Sequence, residues 1–591
     1  MNKRYIVLAI SGIVLIRFLG IWHDYPFSFY PDESHFVKRA LSFGSFDFNP
    51  HWFHKPAFYM YILFVEYGGL FVLGKVAGMW SSASDFAVYY IINPGPFYIV
   101  GRVTTALFGI ATLYLVYVTG ERFFRKNSGV IGAILVALSY GHIRASQDVK
   151  ADIPAAFFAV LSTFFLLLYH KNRGSRDVVL AAIFAGAGAA TKVYPIIMMP
   201  AVLLSILFCC PRGVVKDVLK AVSLGVTCIA VFWGAYFICS PYSFLDPLGR
   251  DAVFHDFGVL FQKVSGLFGG AVGPEPTVFK EPKASLGQGA ISYITTLFDF
   301  RGMGVPIAAA GISGVFYMLF HVDRKTILFL LFPALLTLFS IYTAPGYAEP
   351  RHQVPLYPFL GVAGGVLVSR LSESVNLGKR AVYGTLSVAL CWPLYNVLER
   401  GFFISKTDTR NIAKIWIEEN IPDGTKILIN ENGPQLLTGE KRILAGLEKA
   451  KKADRRGQFT AHYGKYLEYQ LEAAKKSVTY DISEIRHPWW RETETVQGVG
   501  ELTTDYDKDM ANPLRPVGVN PYQFYVDNDY RYAIVHSKEY GRYMRPGSLK
   551  AKKFPSFFKF YTELFAKGNL VKEFSPRNGN RPGPVVKVFK F

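Results

Sequence analysis

Long apolar segments dominate the first two thirds of this 591-residue chain, and they constrain its fold more than any other feature. A helix needs about 20 mainly apolar residues to cross the hydrocarbon core of a bilayer. Segments of this kind predict membrane spans near 5–22, 97–120, 128–142, 153–170, 178–191, 193–210, 218–239, 303–321, 325–343, 354–369 and 381–398. The pattern therefore predicts a polytopic α-helical membrane protein with about eleven crossings.

A more polar region follows the apolar one. Hydrophobic residues make up 51% of the chain and charged residues 18%, and so high a charged fraction is not expected of a chain that lies wholly in lipid. After residue 399 the pattern is that of a soluble α/β domain, with short strands predicted at 530–537 and 585–591. The apolar side of its first predicted helix carries Ile412, Ile415, Trp416 and Ile421. We predict a transmembrane domain over 1–399 and an α/β domain over 400–591.

Basic residues cluster in alternate connections between the predicted spans, which the positive-inside rule assigns to the cytoplasm. All of these connections can be cytoplasmic only if the apolar segment 56–79 makes no net crossing. We therefore predict that this segment is re-entrant or lies along the outer surface. The first segment, 5–22, is predicted to be an uncleaved signal anchor with its basic end in the cytoplasm.

This topology places several regions on the outer side of a plasma or inner membrane, in the periplasm or cell exterior. They are the loops 23–96, 143–152, 240–302 and 344–353, together with the C-terminal domain. The net charge of +20 then reports first on topology and on contact with anionic membrane lipids. No nucleic-acid partner is predicted.

Two adjacent carboxylates, Asp32 and Glu33, follow a proline in the sequence FYPDESHFVKRA, directly after the first predicted span. One interpretation is that they stabilise the start of a helix. The other is that one of them is a general base, held near a hydroxyl in a partly dry cleft. A metal site is a further alternative, because Glu33, His35 and His54 are hard or borderline ligands in one loop, although no defined spacing supports it.

The segment HKPAFYMYI, at 54–62, places Lys55 before a proline that suits the first position of a helix. A helix N-terminus and an ammonium group would then point at the same spot, and such a spot binds phosphate. The alternative is that Lys55 extends its charged end to the membrane interface.

The segment HIRASQDVKADIP, at 142–154, places Asp148 and Asp152 at a spacing that would put them on one face of a helix. Such carboxylates at the outer membrane boundary could orient sugar hydroxyls. They could equally belong to an exposed ion-pair network, and for Asp148 this is the favoured interpretation.

Cationic or titratable residues also lie at the outer ends of several predicted spans. These residues are Lys192, Arg301, Arg351 and His352. Anchoring at the membrane interface could explain each of them singly. Convergence on one phosphate is the sharper hypothesis, because guanidinium groups bind phosphate oxygens bidentately.

With these segments in place, the chain resembles the GT-C superfamily of polyprenyl-phosphate-dependent glycosyltransferases, in the branch of protein O-mannosyltransferases and aminoarabinose transferases. The resemblance rests on YPDESHF, HKPAFYMYI, GRVTTALFGIATLYLVYVTGERFF, ASQDVKADIPAAFF, ATKVYP, SPYSFLDP and RHQVPLYP, in that order. It implies inverting transfer of one sugar from a lipid-linked phosphate donor to an acceptor hydroxyl on the outer face.

The resemblance also implies roles for particular residues. Asp32 matches the family's candidate catalytic base, with Glu33 beside it, and Asp152 matches the acid of the second loop. Lys55 and Arg351 match groups suited to holding the donor phosphate. The chain departs from the family where alanine replaces the second proline of HKPAFYMYI and where a lysine at position 150 replaces the usual arginine.

The implied partners are a lipid-linked sugar donor and a lipid, glycan or protein acceptor. Neither a nucleotide nor a metal is obligatory, because cations of the chain could offset the charge of the departing phosphate. One rival function is en bloc oligosaccharide transfer to asparagine, whose family carries a WWDYG signature. Here only HPWWRET occurs, so Trp489 and Trp490 are interpreted as packing residues. A second rival is a non-enzymatic lipid or sugar transporter.

Overall fold

The structure is a computed structural model, and it describes most of the chain. The described residues are 12, 14–210, 215–254, 258, 286–343, 349–374, 378–453, 458–487, 518–576 and 579–591. Residues 5–11 and 13 of the predicted first span lie outside this set, as do Trp489 and Trp490.

Helices form nearly all of the described chain before residue 405. They are Pro31–Ser42, Phe58–Val76, Ala83–Ile92, Gly95–Thr119, Ser128–Ala137, Tyr140–Ser146, Asp152–Asn172, Ser175–Ala189, Met198–Cys209, Val215–Cys239, Leu286–Phe298, Val305–Phe320, Arg324–Thr343, Tyr357–Ser374 and Gly378–Ile404, with short turns at Tyr242–Leu245 and Pro350–Gln353. The last of the long helices runs across the predicted boundary at residues 399 and 400, and that boundary stays a prediction.

Seven of the described helices are long and apolar enough to cross a membrane, or eight if the bent pair Ser128–Ala137 and Tyr140–Ser146 is one span. Three further apolar helices are shorter. The polytopic helical fold is therefore confirmed, while the count of about eleven crossings and the orientation of the termini stay predictions. Helix Phe58–Val76 is among the seven, so its length and composition do not exclude a crossing.

Small residues let the membrane helices approach each other closely. A Cβ atom on Gly365, in helix Tyr357–Ser374, would lie 2.1 Å from the carbonyl oxygen of Ser128. A Cβ atom on Gly314 would lie 2.1 Å from the carbonyl oxygen of Ala363. Because helices in lipid gain their stability from such packing, a side chain at either glycine would force helices apart.

The chain after residue 405 folds into a mixed six-stranded sheet with helices against it. The strands are β1 (Lys426–Asn430), β2 (Leu437–Thr438), β3 (Thr479–Ile485), β4 (Tyr532–His536), β5 (Asn569–Phe574) and β6 (Val586–Lys590). They pair in the order β2-β3-β1-β4-β6-β5. The helices are Thr409–Asn420, Glu440–Ala453, Gln458–Ala474, Tyr522–Asp527, Ser537–Met544, Leu549–Lys553 and Pro555–Lys567.

The sheet is covered on both faces because its strands alternate between two cores. Leu428 of β1 packs in one apolar cluster, whereas Ile427 and Ile429 pack in the other. This alternation is the side-chain period of a strand, and parallel strands such as β1, β3 and β4 require cover on both faces. The predicted α/β domain is confirmed, including strands at 530–537 and 585–591.

Candidate active site

Asp32, the first acidic residue of helix Pro31–Ser42, contacts Arg351, a cation that lies much later in the sequence. Asp32 Oδ2 lies 3.1 Å from Arg351 Nη1, across 319 positions of sequence. The same nitrogen donates to the hydroxyl of Tyr30 at 3.2 Å, and Arg351 also pairs with Glu349. Both members of the ion pair keep solvent contact, with side-chain exposures of 30% for Asp32 and 38% for Arg351. Asp32 is thus accessible to a ligand.

Glu33 points the other way, into the protein. It has no exposed surface, and both of its carboxylate oxygens accept hydrogen bonds from Arg102, at 2.8 and 2.7 Å. The hydroxyl of Ser28 and the amide of Val149 also donate to it, at 2.5 and 2.8 Å. Arg102 in turn donates to two backbone carbonyl groups of the segment before the acidic helix. Glu33 and Arg102 therefore fix the helix that presents Asp32.

Sequence reasoning missed the role of Arg102, although the sequence contains a signal for it. The residue lies in the apolar run 97–120, and a charge inside such a run needs a buried partner. Helix Gly95–Thr119 carries the arginine at a position that is 1% exposed. The partner, Glu33, is the second of the two adjacent carboxylates.

Lys55 lies in the same polar region as Asp32, but the helix after it begins later than predicted. Helix Phe58–Val76 starts two residues after Pro56. The amide of Ala57 already donates to Ser240 Oγ at 3.0 Å, and the next amide donates to the carbonyl oxygen of Ala190 at 3.1 Å. The predicted helix start at Pro56 is therefore wrong, and neighbouring segments occupy the amides of Ala57 and Phe58.

The ammonium group of Lys55 nevertheless lies among the predicted site residues. Its Nζ lies 5.5 Å from the ring centre of Phe36. Burial lowers the pKa of Lys55 and the charge of Lys192 lowers it further, whereas Asp152 and Asp32 oppose the change. These four charged groups therefore influence one another. An anion that bound between the two lysines would relieve their repulsion.

Asp152 anchors a second cation beside the site. It begins helix Asp152–Asn172, is 3% exposed and accepts a 2.5 Å hydrogen bond from Lys192 Nζ. The hydroxyl of Tyr194 donates to its carbonyl oxygen at 3.2 Å. Lys192 keeps 25% of its side chain exposed, so this ammonium group can still contact a ligand.

Asp148 does not share a helix face with Asp152. Helix Tyr140–Ser146 ends before it, and the next helix begins only at Asp152. Asp148 is also buried, at 6% exposure, with Lys150 Nζ at 3.2 Å and His23 Nε2 at 3.6 Å. Although burial by itself raises the pKa of Asp148, Lys150 and His23 hold it well below its ordinary value. The predicted ion-pair network exists, but it is buried.

A cavity of about 580 Å³ opens beside these groups. Its lining includes Tyr30, Arg144, Asp148, Lys150, Asp152, Arg301 and Arg351. Arg301 is exposed, with its guanidinium carbon 5.2 Å from the ring centre of Phe300. His352 follows Arg351 in the turn Pro350–Gln353, within electrostatic reach of Lys192 and Asp152. Of the predicted phosphate ligands, Arg301 and Arg351 line this cavity. The other three, Lys55, Lys192 and His352, lie within electrostatic reach of Asp152, which also lines it.

The three residues considered for a metal do not converge. His35 stacks on Trp52 with ring centres 5.4 Å apart, and His54 packs against the edge of the same ring at 5.5 Å. Burial lowers the pKa of His35 to about 4, and Arg39 contributes to this shift. Glu33 instead lies with His23 and Asp148, with ligand atoms within 4.8 Å of one another. Because Arg102 and Lys150 already neutralise those carboxylates, this donor set fits fixed cations better than a metal ion.

The C-terminal domain also contacts the chain that leads into the acidic helix. Asn411, in helix Thr409–Asn420, donates from Nδ2 to the carbonyl oxygens of Asp24 and Tyr25, at 2.8 and 2.9 Å. The guanidinium carbon of Arg410 lies 3.6 Å from the ring centre of Phe29. The segment before Asp32 is therefore held from the membrane side by Arg102 and from the other side by the C-terminal domain.

The fold and part of the sequence of this chain are similar to those of known membrane glycosyltransferases. Residues 97–236 match the family described as dolichyl-phosphate-mannose-protein mannosyltransferase. The chain has the fold of ArnT from Cupriavidus metallidurans: against the apo structure the identity is 11%, the TM-score is 0.52, and coverage is 100% of this chain and 98% of that one. The predicted resemblance to the GT-C superfamily is thereby confirmed.

Two further structures are similar to this chain. ArnT from the same organism bound to undecaprenyl phosphate has 13% identity and a TM-score of 0.51, over 100% of this chain and 98% of that one. The Archaeoglobus fulgidus oligosaccharyltransferase in complex with Zn and sulfate has 14% identity and a TM-score of 0.46, over 91% of this chain and 68% of that one. No curated protein matches the sequence of the chain.

Proposed function

We propose that this protein transfers one sugar from a polyprenyl-phosphate donor to an acceptor hydroxyl on the outer face of the membrane, with inversion at the anomeric carbon. The observation that carries the proposal is the 3.1 Å contact between Asp32 and Arg351 beside a cavity of about 580 Å³. An accessible carboxylate thus lies against an accessible guanidinium that lines the cavity. Together they supply a base for an alcohol and a partner for a phosphate.

In the proposed reaction Asp32 takes the proton of the acceptor hydroxyl. The hydroxyl oxygen forms a bond to the anomeric carbon from the face opposite the phosphate, and the bond between that carbon and the phosphate oxygen breaks. The lipid phosphate leaves with the bonding electron pair. Lys55, Lys192 and Arg351 offset its growing charge, which lowers the barrier by stabilising the transition state.

The donor phosphate also explains how Asp32 becomes a free base. Without donor, Arg351 pairs with Asp32. Since a phosphate accepts two parallel hydrogen bonds from a guanidinium group, a bound donor would draw Arg351 away from the carboxylate. His352 and Arg301 extend the cationic side toward the rest of the headgroup. Glu33 is a positioning residue in this scheme, because it acts through Arg102 on the helix that carries Asp32.

Asp152 has a related role, since it holds Lys192 in the cationic group. No step of the proposed reaction requires a metal or a nucleotide. The lipid tail of the donor would remain in the bilayer, while its headgroup reaches the cavity from the membrane side. The acceptor hydroxyl, which belongs to a lipid, a glycan or a protein, would approach from the outer aqueous side.

The test is to incubate membranes containing the protein with radiolabelled polyprenyl-phosphate sugars and to measure transfer by the wild type and by Asp32→Asn. We expect transfer by the wild type and a loss of at least 100-fold in the variant, because general-base catalysis contributes roughly 10²–10⁴-fold. Glu349→Gln, which alters the other carboxylate that pairs with Arg351, is the matched control and should retain most of the activity. Unchanged transfer by Asp32→Asn would remove this residue from its proposed role.

A further inference from the structure

A second cavity, of about 500 Å³, lies between the membrane helices and the C-terminal domain. Tyr30, Arg144 and Asp148 line both this cavity and the first one. Tyr30 is also a neighbour of the base, because Arg351 donates to both its hydroxyl and Asp32. A molecule bound in the second cavity could therefore extend past Tyr30 to the proposed base.

Most acids that line this cavity already have a basic partner. Asp408 accepts two hydrogen bonds from Arg410, each 2.9 Å long. Asp148 lies 3.2 Å from Lys150, and Asp24 lies 3.4 Å from His23. Glu399 is the remaining carboxylate of the lining, and it is exposed to solvent.

Three cations of the lining have no acidic partner among the described residues. Arg400 bonds to the side-chain oxygen of Gln147 and lies 5.5 Å from the ring centre of Tyr140. Arg144 and Lys538 make neither an ion pair nor a side-chain hydrogen bond within the described parts of the chain, and both are exposed. The cavity thus contains three unpaired cations against one exposed carboxylate.

These cations come from both parts of the protein and influence one another. Arg144 and Arg400 belong to the membrane helices, and Lys538 belongs to helix Ser537–Met544 of the C-terminal domain. Although Lys538 is exposed, its partial enclosure lowers its pKa, and the charge of Arg410 lowers the pKa further, against the opposing influence of Asp408. An anion bound among these groups would relieve this repulsion.

We propose that the second cavity binds an anionic group, a phosphate or a carboxylate, on the acceptor that receives the sugar. Arg144 and Lys538 are its ligands, and Arg400 adds a third positive charge. This inference rests on the proposed transferase function, since it assigns the second substrate of the same site. It also gives the C-terminal domain a direct role, because one of the two ligands comes from it.

The test measures equilibrium binding of three probes to the purified full-length protein. The first probe is a short-chain phosphatidic acid, the second is a hexuronate-containing oligosaccharide, and the third is a neutral oligosaccharide of equal length. We expect one of the two anionic probes to bind at least tenfold more tightly than the neutral one, because one hydrogen bond between charged groups contributes roughly a factor of ten or more in affinity. Preference for the lipid phosphate identifies a lipid acceptor, and preference for the hexuronate identifies a glycan acceptor.

Charge-reversal variants locate the binding. Lys538→Glu and Arg144→Glu should each weaken binding of the preferred probe by at least tenfold, and Lys538→Ala should do so to a smaller degree. Lys552→Glu makes the same change of charge at an exposed residue outside the cavity lining, and it should have no effect. Equal unfolding temperatures would show that the variants are folded.

Binding that is insensitive to Lys538 and Arg144, or no preference for either anionic probe, would overturn the proposal. Binding of polyprenyl phosphate, measured in parallel, distinguishes failure of this proposal from failure of the transferase function. If polyprenyl phosphate binds in a manner that depends on Lys55 while the second site fails, only the acceptor inference falls. If polyprenyl phosphate does not bind at all, the proposed function itself fails.

Discussion

The adjacent carboxylates Asp32 and Glu33 should respond differently to mutation, because Asp32 is partly exposed and Glu33 is buried. Glu33 neutralises the guanidinium of Arg102 in a site without exposed surface on either side. Glu33→Gln keeps the size of the side chain but leaves that charge uncompensated. Breaking a buried pair in this way costs about 3–5 kcal/mol of the free energy of unfolding.

The pair of Asp32 and Arg351 is more than a quarter exposed on both sides, so its loss costs at most about 1 kcal/mol. Asp32→Asn should therefore leave the protein nearly as stable as the wild type while sugar transfer is lost. Glu33→Gln should lower the free energy of unfolding by several times as much. Denaturant unfolding of the purified protein in detergent, followed by circular dichroism, measures both values.

A double-variant cycle tests the physical reason. Replacing Glu33 and Arg102 together by methionine removes both buried charges, so the double variant should be less destabilised than the sum of the single variants by about 1–3 kcal/mol. Additive losses would refute the argument that uncompensated charge causes the instability. So would equal destabilisation by Asp32→Asn and Glu33→Gln.

Three other outcomes follow from the structure. Asn411→Leu removes two hydrogen bonds to the segment before the acidic helix. Single-turnover assays should therefore show slower sugar transfer, while direct binding assays should show that polyprenyl phosphate still binds. Burial lowers the pKa of His536 to about 4, so between pH 6.5 and 4 the unfolded chain binds more protons than the folded one. The folded C-terminal domain should therefore lose stability as the pH falls, and protease should cleave it more easily. Lys192→Ala should weaken polyprenyl phosphate binding about tenfold, as measured by titration of the purified protein.

Matched variants provide the controls. Asn420→Leu changes an exposed asparagine of the same C-terminal helix and should leave transfer unchanged. His536→Gln should reduce the pH dependence of cleavage, and a profile identical to the wild type would contradict the role of burial. Lys171→Ala, at an exposed lysine of a membrane helix, should leave polyprenyl phosphate binding intact. A metal chelator should not alter transfer, because fixed cations already neutralise Glu33 and Asp148.

Much of the fold could be predicted because apolar periodicity and length determine which segments cross a membrane. The predicted span 153–170 corresponds to helix Asp152–Asn172, and the predicted span 218–239 corresponds to Val215–Cys239. The buried face of helix Thr409–Asn420 was predicted only in part, since Ile421 and Trp416 pack in the core as expected. Ile415 is 56% exposed, whereas Arg410 is buried by its pairing with Asp408. Apolar periodicity cannot reveal a helix face that is buried through polar contacts.

The site could be predicted only in part, because its contacts join distant segments. The motifs indicated the residue types on each side, but no local pattern determines that Asp32 meets Arg351 or that Glu33 meets Arg102. The strand order of the C-terminal sheet could not be predicted for the same reason, since parallel pairing joins strands that are separated in sequence by connecting helices. A cation within an apolar segment is the sequence feature that would have pointed to Arg102.

Binding of polyprenyl monophosphate to the purified protein most directly tests whether the base and the phosphate ligands share one cavity. Wild type should bind the phosphorylated lipid and not the neutral alcohol, and Arg351→Ala should lose at least tenfold in affinity. Asp32→Asn should bind as tightly as the wild type or more tightly, because the carboxylate that competes with the phosphate for Arg351 is gone. It should nevertheless transfer no sugar. Weaker binding by Asp32→Asn, or affinity that does not depend on Arg351, would contradict the shared site.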